Sequence, residues 1–185
     1  MRYSPLALAL ALAACQTTPN PKRTYERMLA DYAKDDGTAA LNYDIDARQR
    51  EKCAKVVEWY EEGLIRTPED HLFAARILAT SDVHTELELA RVLAVRAAEL
   101  GEEDAYPVQA EAIDRLLLKQ GLAQRYGTQY VWEPLFGRWR HYAVDPLTTD
   151  ELREAMGILP LAELRARVKI LNAGQGAERL RSIEK

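Results

Sequence analysis

The sequence predicts a mainly α-helical fold, an antiparallel bundle of about six helices with one appended β-hairpin at about residues 128–144. Segments of 12 to 20 residues repeat apolar side chains at intervals of three and four, and short turns join them, which is typical of antiparallel neighbours. The stretch 121–144 breaks this pattern. With 185 residues, 48% of them hydrophobic, the chain is long enough to bury the core of one domain.

The N-terminal residues have the pattern of an export signal. Met1-Arg2 precedes an apolar run, Pro5 to Ala14, that is shorter than the ~20 residues needed to span a bilayer. The run closes on Leu12-Ala13-Ala14-Cys15, which resembles the lipobox of bacterial lipoproteins. We therefore expect a signal peptide over residues 1–14 that is removed, and a lipid anchor on Cys15. An ordinary secretory signal with a chance cysteine is the alternative.

A lipid anchor on Cys15 sets the expected location. Several acyl chains hold a domain at a membrane even when it has no membrane-binding surface of its own. Lipoproteins with aspartate directly after the lipidated cysteine commonly stay in the inner membrane, whereas this chain has Gln16. The sequence therefore predicts a lipid-anchored domain at the periplasmic face of the outer membrane.

Charge and cysteine content exclude two classes of interaction. Loss of residues 1–14 removes Arg2, which leaves 24 basic against 29 acidic side chains and a net charge of −5. Nucleic-acid binding depends on basic patches, so we expect no nucleic-acid partner. If Cys15 is lipidated, Cys53 has no partner for an intramolecular disulfide.

The mature chain divides into a tether, one domain and a tail. Residues 15–23 contain two prolines and no apolar residue after the anchor, which predicts a flexible tether. A single domain is expected over 24–172, and a frayed tail over 173–185. The predicted helices cover about 24–35, 44–62, 67–79, 82–100 and 104–120, followed by a short helix that ends at Gly157 and a last one that opens at Pro160.

Two features of these helices lead to specific predictions. Thr67-Pro68-Glu69-Asp70 combines an N-cap, a proline at the first helical position and acids in the first turn, so a helix should begin there. Cys53 lies on the apolar stripe of its helix, which favours a small buried side chain. The alternative, a reactive thiol, requires exposure and basic neighbours.

The hairpin prediction depends on residue type. Aromatic and β-branched residues from Thr128 to Glu133 and from Arg138 to Val144 flank Pro134-Leu135-Phe136-Gly137, a typical turn. Alternation places Tyr130 and Trp132 on one face. Because an isolated hairpin is only marginally stable, this one must lie against the helices.

Several chemistries lack their required residues. After the signal peptide only Ser81 and Ser182 remain, and neither lies in a Gly-x-Ser-x-Gly motif, so a serine hydrolase is not expected. His71, His84 and His141 are 13 and 57 residues apart and show no zinc-binding spacing, so each is expected to be a surface or partly buried polar side chain. We predict no metal and no cofactor.

Asp114 is the most suggestive acid. Its neighbours one helical turn away are Ala110, Leu117 and Leu118, which should turn the carboxylate toward apolar packing, while Arg115 points elsewhere and can pair with Glu111. A buried carboxylate must find donors or take up a proton. One interpretation is that Asp114 accepts hydrogen bonds from the loop after Gly121 and fixes the hairpin to the helices. The other is a catalytic acid or base at a cleft rim.

The segment around Gly127 supplies the candidate ligand-binding residues. Polar and aromatic side chains could form a small-ligand site or a hydrogen-bonded plug that seats the hairpin, and Gly127 permits a close backbone approach. Downstream, basic and aromatic side chains could stack on a sugar or hold an anion, although alternation along a solvated strand explains them as well. The candidates are Gln124, Tyr126, Thr128, Gln129, Trp139 and Arg140.

These residues resemble the signature of an uncharacterised bacterial family, a domain of unknown function with a Gly-x-x-Gln-x-Tyr-Gly-Thr-Gln motif. The motif corresponds to Gly121, Gln124 and Tyr126-Gly127-Thr128-Gln129. Further matching pieces, in order between about Asp46 and Asn172, are Asp46-Ala47-Arg48, Thr67-Pro68-Glu69-Asp70, Ala74-Ala75, Asp114-Arg115, Gly137, Asp150, Arg153 and Pro160-Leu161. The resemblance implies no activity, because the family has none assigned.

The family also carries two features that this chain lacks. Relatives often have a histidine just before the paired alanines and Gln-His-Gly at the end of that helix, where this chain has Phe73 and Leu78-Ala79-Thr80. If those histidines do chemistry in the family, this member has lost it.

Two hypotheses of function follow. The first is a non-catalytic envelope lipoprotein that binds an envelope protein or a cell-wall ligand through the surface between Gln124 and Tyr142. The second is a hydrolase-like enzyme that uses Asp114 with Gln129 and Tyr126, which requires Asp114 to line an open pocket.

Overall fold

Seven α-helices and one antiparallel hairpin make up the part of the chain that the structure describes, residues 19–33, 43–133 and 135–175 of a computed structural model. The elements are α1 Pro21–Ala33, α2 Tyr43–Glu61, α3 Pro68–Leu78, α4 His84–Glu99, α5 Ala105–Lys119, β1 Tyr130–Glu133, β2 Arg138–His141, α6 Asp150–Glu154 and α7 Leu161–Ile170, which continues as a π-helical turn Leu171–Gln175. The predicted fold class, a helical bundle with one appended hairpin, is confirmed. Cys15, the predicted signal peptide and residues 176–185 of the predicted tail lie outside the described residues.

The start of α3 follows the predicted capping signal. The Thr67 hydroxyl accepts a hydrogen bond from the Asp70 backbone N–H at 3.0 Å, and the Asp70 carboxylate accepts one from the Thr67 N–H at 3.0 Å. Pro68 occupies the first helical position. This reciprocal arrangement satisfies backbone donors that would otherwise have no partner at the end of the helix.

The start of α1 differs from the prediction. The helix begins at Pro21, so residues 21–23, expected in the tether, are helical. Asn20 explains the difference, since its side-chain oxygen accepts the Arg23 N–H at 2.7 Å and caps the helix ahead of the proline. Apolar periodicity alone missed this start because Pro21 to Arg23 contain no typical core side chain.

The core is formed mainly by α3, α4 and α5. α4 packs against both α3 and α5, and α1 and α2 lie against α3. Small side chains let these helices approach closely. The alanines with no exposed surface are Ala74, Ala75, Ala90, Ala94, Ala97, Ala105, Ala110 and Ala112. This packed unit holds α5, and with it Asp114, in a fixed position.

Cys53 belongs to the same core. It is 1% exposed, and its thiol lies 3.6 Å from the Ile77 carbonyl oxygen. Burial raises the pKa of this thiol to about 12, because the thiolate would have little solvation there. The prediction of a buried, structural cysteine is confirmed.

The hairpin is shorter than predicted, with paired strands only at 130–133 and 138–141. Tyr130 pairs with His141 and Trp132 with Trp139, which places these four rings on one face, as predicted for Tyr130 and Trp132. At the base of the hairpin the chain leaves the regular strand pairing, because its backbone bonds to other residues. One of them, Gln124, forms a parallel bridge with Val144.

The outer edge of β2 lies against α7 and its π-helical turn. The Asn172 side chain accepts the Trp139 N–H at 2.6 Å and donates to the Trp139 carbonyl at 2.9 Å, as a neighbouring strand would. An exposed strand edge is a template for unwanted pairing, and this contact removes part of it. Within the described ranges, every helix is too short or too polar to cross a bilayer.

Candidate functional site

Asp114 is the anchor point of the loop that leads into the hairpin. The residue has no exposed surface, and its two carboxylate oxygens face the backbone after α5. Oδ1 accepts the N–H groups of Arg125 at 2.6 Å and Tyr126 at 2.8 Å. Oδ2 accepts the Thr128 N–H at 2.9 Å and the Thr128 hydroxyl at 2.8 Å. Four donors on one carboxylate satisfy its burial and tie the loop to α5.

Gln124 closes the base of the hairpin and is also fully buried. Its backbone N–H donates to the Ala143 carbonyl at 2.9 Å, and its carbonyl accepts the Asp145 N–H at 2.8 Å. Its side chain donates to the carbonyls of Gln129 at 3.0 Å and Tyr142 at 3.2 Å, and accepts the Gln129 N–H at 2.8 Å. Every polar group of Gln124 therefore bonds either to the segment just before β1 or to the segment just after β2.

Arg153 supports the loop from the side of α6. Although only 2% exposed, its guanidinium donates to the Tyr126 carbonyl at 3.0 Å and to the Thr148 carbonyl at 2.8 Å. It also pairs with Asp150 at 2.9 Å. Asp150 in turn accepts the Leu161 N–H at 2.9 Å, which holds the start of α7. The pKa of Asp150 lies below its ordinary range because of that backbone bond and the guanidinium.

Gly127 packs closely against α7. Its φ is +87°, a conformation that side-chain-bearing residues rarely adopt. A Cβ at this position would lie 3.3 Å from Leu164 Cδ1 and 3.4 Å from His141 Cε1. The backbone conformation therefore favours glycine here, and an added Cβ would also press on these two side chains.

A cleft of about 910 Å³ opens beside this loop, between the helical core and the hairpin. α1, α3 and α5 line one side, and the loop, the hairpin base and α7 line the other. The connection between α6 and α7 also contributes. The polar and aromatic lining residues are Tyr25, Arg76, Thr80, Asp104, Glu111, Thr128, Tyr130, His141 and Arg167. Asp114 does not line the cleft.

Glu111 lies one helical turn before Asp114 and faces the cleft. Its side chain remains 38% exposed, yet it is set into a concave surface where the surrounding protein displaces much of the solvent. This burial raises the pKa of Glu111, and the nearby Asp114 adds to the effect. Arg115 at 3.5 Å and the nearby Gln129 side chain act in the opposite direction. The predicted pairing of Glu111 with Arg115 is confirmed.

His141 lies on the opposite side of the cleft. Burial lowers the pKa of His141 and so favours the neutral imidazole, an effect partly offset by the nearby Gly127 backbone. Within the described part of the chain, its buried Nδ1 atom has no hydrogen-bond partner. This atom has almost no accessible surface, so His141 borders the cleft through the rest of its ring.

Arg167 brings a positive charge to the cleft. Arg76 on the facing side pairs with Asp104 at 3.3 Å. Across residues 19–33, 43–133 and 135–175, no carboxylate lies within ion-pair distance of Arg167. The cleft thus combines this guanidinium, the imidazole ring of His141 and the aromatic rings of Tyr25 and Tyr130.

The sequence-predicted candidates divide into two groups. Gln124, Tyr126, Thr128 and Gln129 come together in the loop, where their polar atoms serve the loop and the hairpin, and Thr128 also borders the cleft. Trp139 and Arg140 do not come together, because adjacent strand residues point to opposite faces.

Each of the two hairpin candidates is engaged within the hairpin itself. Trp139 packs edge-on to Tyr130 and Trp132, with ring centroids 5.6 Å apart in each pair. Arg140 donates to Glu133 at 2.6 Å.

Sequence reasoning did not select Glu111 and Arg167 as site residues, and it included His141 only as part of the surface between Gln124 and Tyr142. The one available signal was that Glu111 lies one turn before Asp114 on the same helix. His141 and Arg167 belong to separate elements whose packing no local pattern specifies. In the described ranges, no three His, Cys, Asp or Glu side chains gather into a set that could hold a metal ion.

No family model matches this chain, and comparisons with curated proteins and with solved structures gave no match either. The resemblance to the Gly-x-x-Gln-x-Tyr-Gly-Thr-Gln family therefore stays a prediction.

Proposed function

We propose that this protein is an envelope lipoprotein, anchored through Cys15 at the periplasmic face of the outer membrane, whose domain is a non-catalytic binding module. Its ligand site is the cleft between the helical core and the hairpin. The observation that carries this proposal is that two acidic side chains of α5 have different surroundings. The Asp114 carboxylate is occupied by four donors of the loop, while Glu111, one turn earlier, faces an open cleft.

The chemistry of the cleft indicates the class of ligand. Arg167 suits a carboxylate, and the partly exposed Glu111 side chain suits an amide or hydroxyl donor. Tyr25 and Tyr130 offer rings on which a sugar or an apolar chain could pack. A cell-wall fragment, in which acidic peptides are joined to amino sugars, presents all of these groups. The proposed location, the periplasmic face of the outer membrane, would also place the protein beside the cell wall.

The test is binding of muropeptides, obtained by digesting peptidoglycan, to the full chain by titration calorimetry. Arg167→Ala should weaken binding about tenfold or more, because a desolvated charge-assisted contact is lost. Arg165→Ala is the matched control, since it removes the same charge from the same helix outside the cleft. No binding by the parent protein, or equal losses in the two variants, would refute the proposal.

A hydrolase-like enzyme is the second candidate. Asp114, the acid first expected for it, lies outside the cleft and is fully bonded, so the acid of such an enzyme would have to be Glu111. Its raised pKa opposite a neutral His141 is the observation that favours this candidate. Mass spectrometry of muropeptides after incubation with the protein distinguishes the enzyme from the binding module. Cleaved products that disappear with Glu111→Gln would establish the enzyme, and unchanged masses would support the binding module.

A further inference from the structure

The tip of the hairpin exposes large apolar side chains. Leu135 is 95% exposed and Phe136 is 68% exposed, and both lie in the turn between β1 and β2. Trp132, on the adjoining strand, is 44% exposed. Apolar side chains this exposed on consecutive residues are costly to leave in water and indicate a surface that contacts something else.

The position of the tip restricts what it can contact. It is not part of the cleft, whose hairpin residues are Tyr130 and His141 at the opposite end of the strands. Behind the tip, the rings of Trp132 and Trp139 pack edge-on with centroids 5.6 Å apart. A projecting apolar turn backed by tryptophans has the composition of side chains that enter the interface of a lipid bilayer.

The charges behind the tip suit an anionic surface. On the other face of the hairpin, Arg138 and Arg140 share the single acid Glu133, at 3.0 and 2.6 Å, so this short segment has an excess positive charge. The whole chain has a net charge of −4. The two arginine side chains remain 56% and 46% exposed, and Arg138 lies over the Phe136 ring at 5.1 Å. Arginines in this position can meet lipid phosphates while the apolar tip enters the acyl region.

The length of chain before α1 brings a bilayer within reach. This step rests on the proposed function, since it requires the anchor on Cys15. Five residues, Gln16 to Asn20, separate the anchor from the first helical residue, Pro21. Five extended residues span at most about 18 Å. A domain tethered this closely meets the lipid surface at a high effective concentration.

We propose that the hairpin tip, Leu135 and Phe136 with Trp132, inserts into the interface of a bilayer containing anionic phospholipids. The tip acts as a second, reversible contact that orients the tethered domain on the membrane. Tyr130 and His141 at the base of the same hairpin line the cleft. Insertion of the tip therefore fixes the angle between the cleft and the lipid surface.

The test uses the full chain with vesicles of phosphatidylethanolamine and phosphatidylglycerol, and measures partitioning by sedimentation. The double variant Leu135→Ser with Phe136→Ser should lower the partition coefficient about tenfold. The matched control is Leu147→Ser with Leu152→Ser, which replaces two other exposed leucines, 83% and 54% exposed, away from the hairpin. All three proteins retain the same N-terminal apolar run, so differences between them report on the tip.

Tryptophan fluorescence gives an independent readout of insertion. The difference spectrum between the parent protein and Trp132→Phe should shift to shorter wavelength on vesicle binding, and brominated lipids should quench it. Vesicles of phosphatidylcholine alone should bind more weakly. Equal partitioning of tip variant and control, or a Trp132 signal that does not respond to bound vesicles, would overturn the proposal.

Two other outcomes can be distinguished from lipid insertion. One is self-association through the tip, and the other is absence of muropeptide binding in the cleft. If the tip variant changes the oligomeric state in the absence of lipid, as seen by light scattering, the tip contacts a second copy of the chain and the proposal is wrong. Muropeptide binding should be the same in the tip variant and the parent protein. Failure of muropeptide binding in the parent would therefore count against the cleft and leave the tip result unaffected.

Discussion

Thr128 binds the Asp114 carboxylate twice, through its backbone N–H at 2.9 Å and through its hydroxyl at 2.8 Å, and both bonds end on Oδ2. With the N–H groups of Arg125 and Tyr126 on Oδ1, the loop folds around a single buried negative charge. Such a nest of backbone N–H groups commonly holds an anionic ligand. Here a side chain of the protein fills it, so the polar loop serves the fold and the neighbouring cleft remains open.

The Thr128 hydroxyl can be tested separately from its backbone. Thr128→Val should lower the free energy of unfolding by about 1–3 kcal/mol, because a buried bond to a charged group is lost. The Gln129 side chain, which donates to the same hydroxyl at 3.0 Å, also loses its acceptor. Thr128→Ser keeps the hydroxyl and should cost much less. Urea unfolding measures both, and equal losses would contradict the assigned role.

Gly127 and Gly63 form a natural pair for comparison. Both have positive φ, +87° and +66°, but a Cβ on Gly63 would meet no atom within 4 Å. Gly63→Ala should therefore cost about 1 kcal/mol from backbone strain alone. Gly127→Ala should cost about 1 kcal/mol more, since Leu164 and His141 must also shift slightly. If the two substitutions cost the same in thermal unfolding, the close contact with α7 is not as described.

His141 should make stability depend on pH. Its pKa in the folded protein lies below the ordinary value of 6.5 because of burial. As pH falls from about 7.5 toward 5.5, the unfolded chain takes up this proton first, so wild type should lose stability. His141→Gln should lose less over the same range, because the other histidines titrate in both proteins. An equal or larger loss in the variant, measured by urea unfolding at each pH, would contradict this prediction.

Cys53 should be unreactive in the native protein. Its thiol pKa of about 12 and its 1% exposure leave almost no accessible thiolate. In a Cys15→Ser background, a thiol reagent at neutral pH should label nothing in the native state and one cysteine in concentrated urea. Rapid labelling of the native variant would show that the α2–α3 packing is open.

The sequence predicted the scaffold well for an identifiable physical reason. Apolar side chains at helical spacing must be buried, so their pattern marks α2 to α5, and Thr67 with Pro68 marks a helix start through strictly local bonds. The same reasoning placed Asp114 against the loop after Gly121, since a carboxylate on an apolar face needs donors nearby. The start of α1 was missed because its signal, Asn20 before Pro21, lies outside the apolar pattern.

The cleft was not predictable in the same way. Glu111, His141 and Arg167 are brought together by the return of α7 across the hairpin base, and no periodicity encodes that packing. Trp139 and Arg140 illustrate the opposite case. They are adjacent in sequence and were grouped for that reason, but strand alternation separates them onto two faces.

Amide hydrogen exchange of Arg125, Tyr126 and Thr128, resolved by NMR, tests most directly whether Asp114 holds the loop that shapes the cleft. In wild type these three amides should exchange slowly, although they belong to no helix or strand, because each donates to a buried carboxylate. In Asp114→Asn, one carboxylate oxygen becomes an NH₂ group that cannot accept, so at least one of these amides should exchange much faster while the α4 core stays protected. Fast exchange of all three amides in wild type would contradict the role assigned to Asp114.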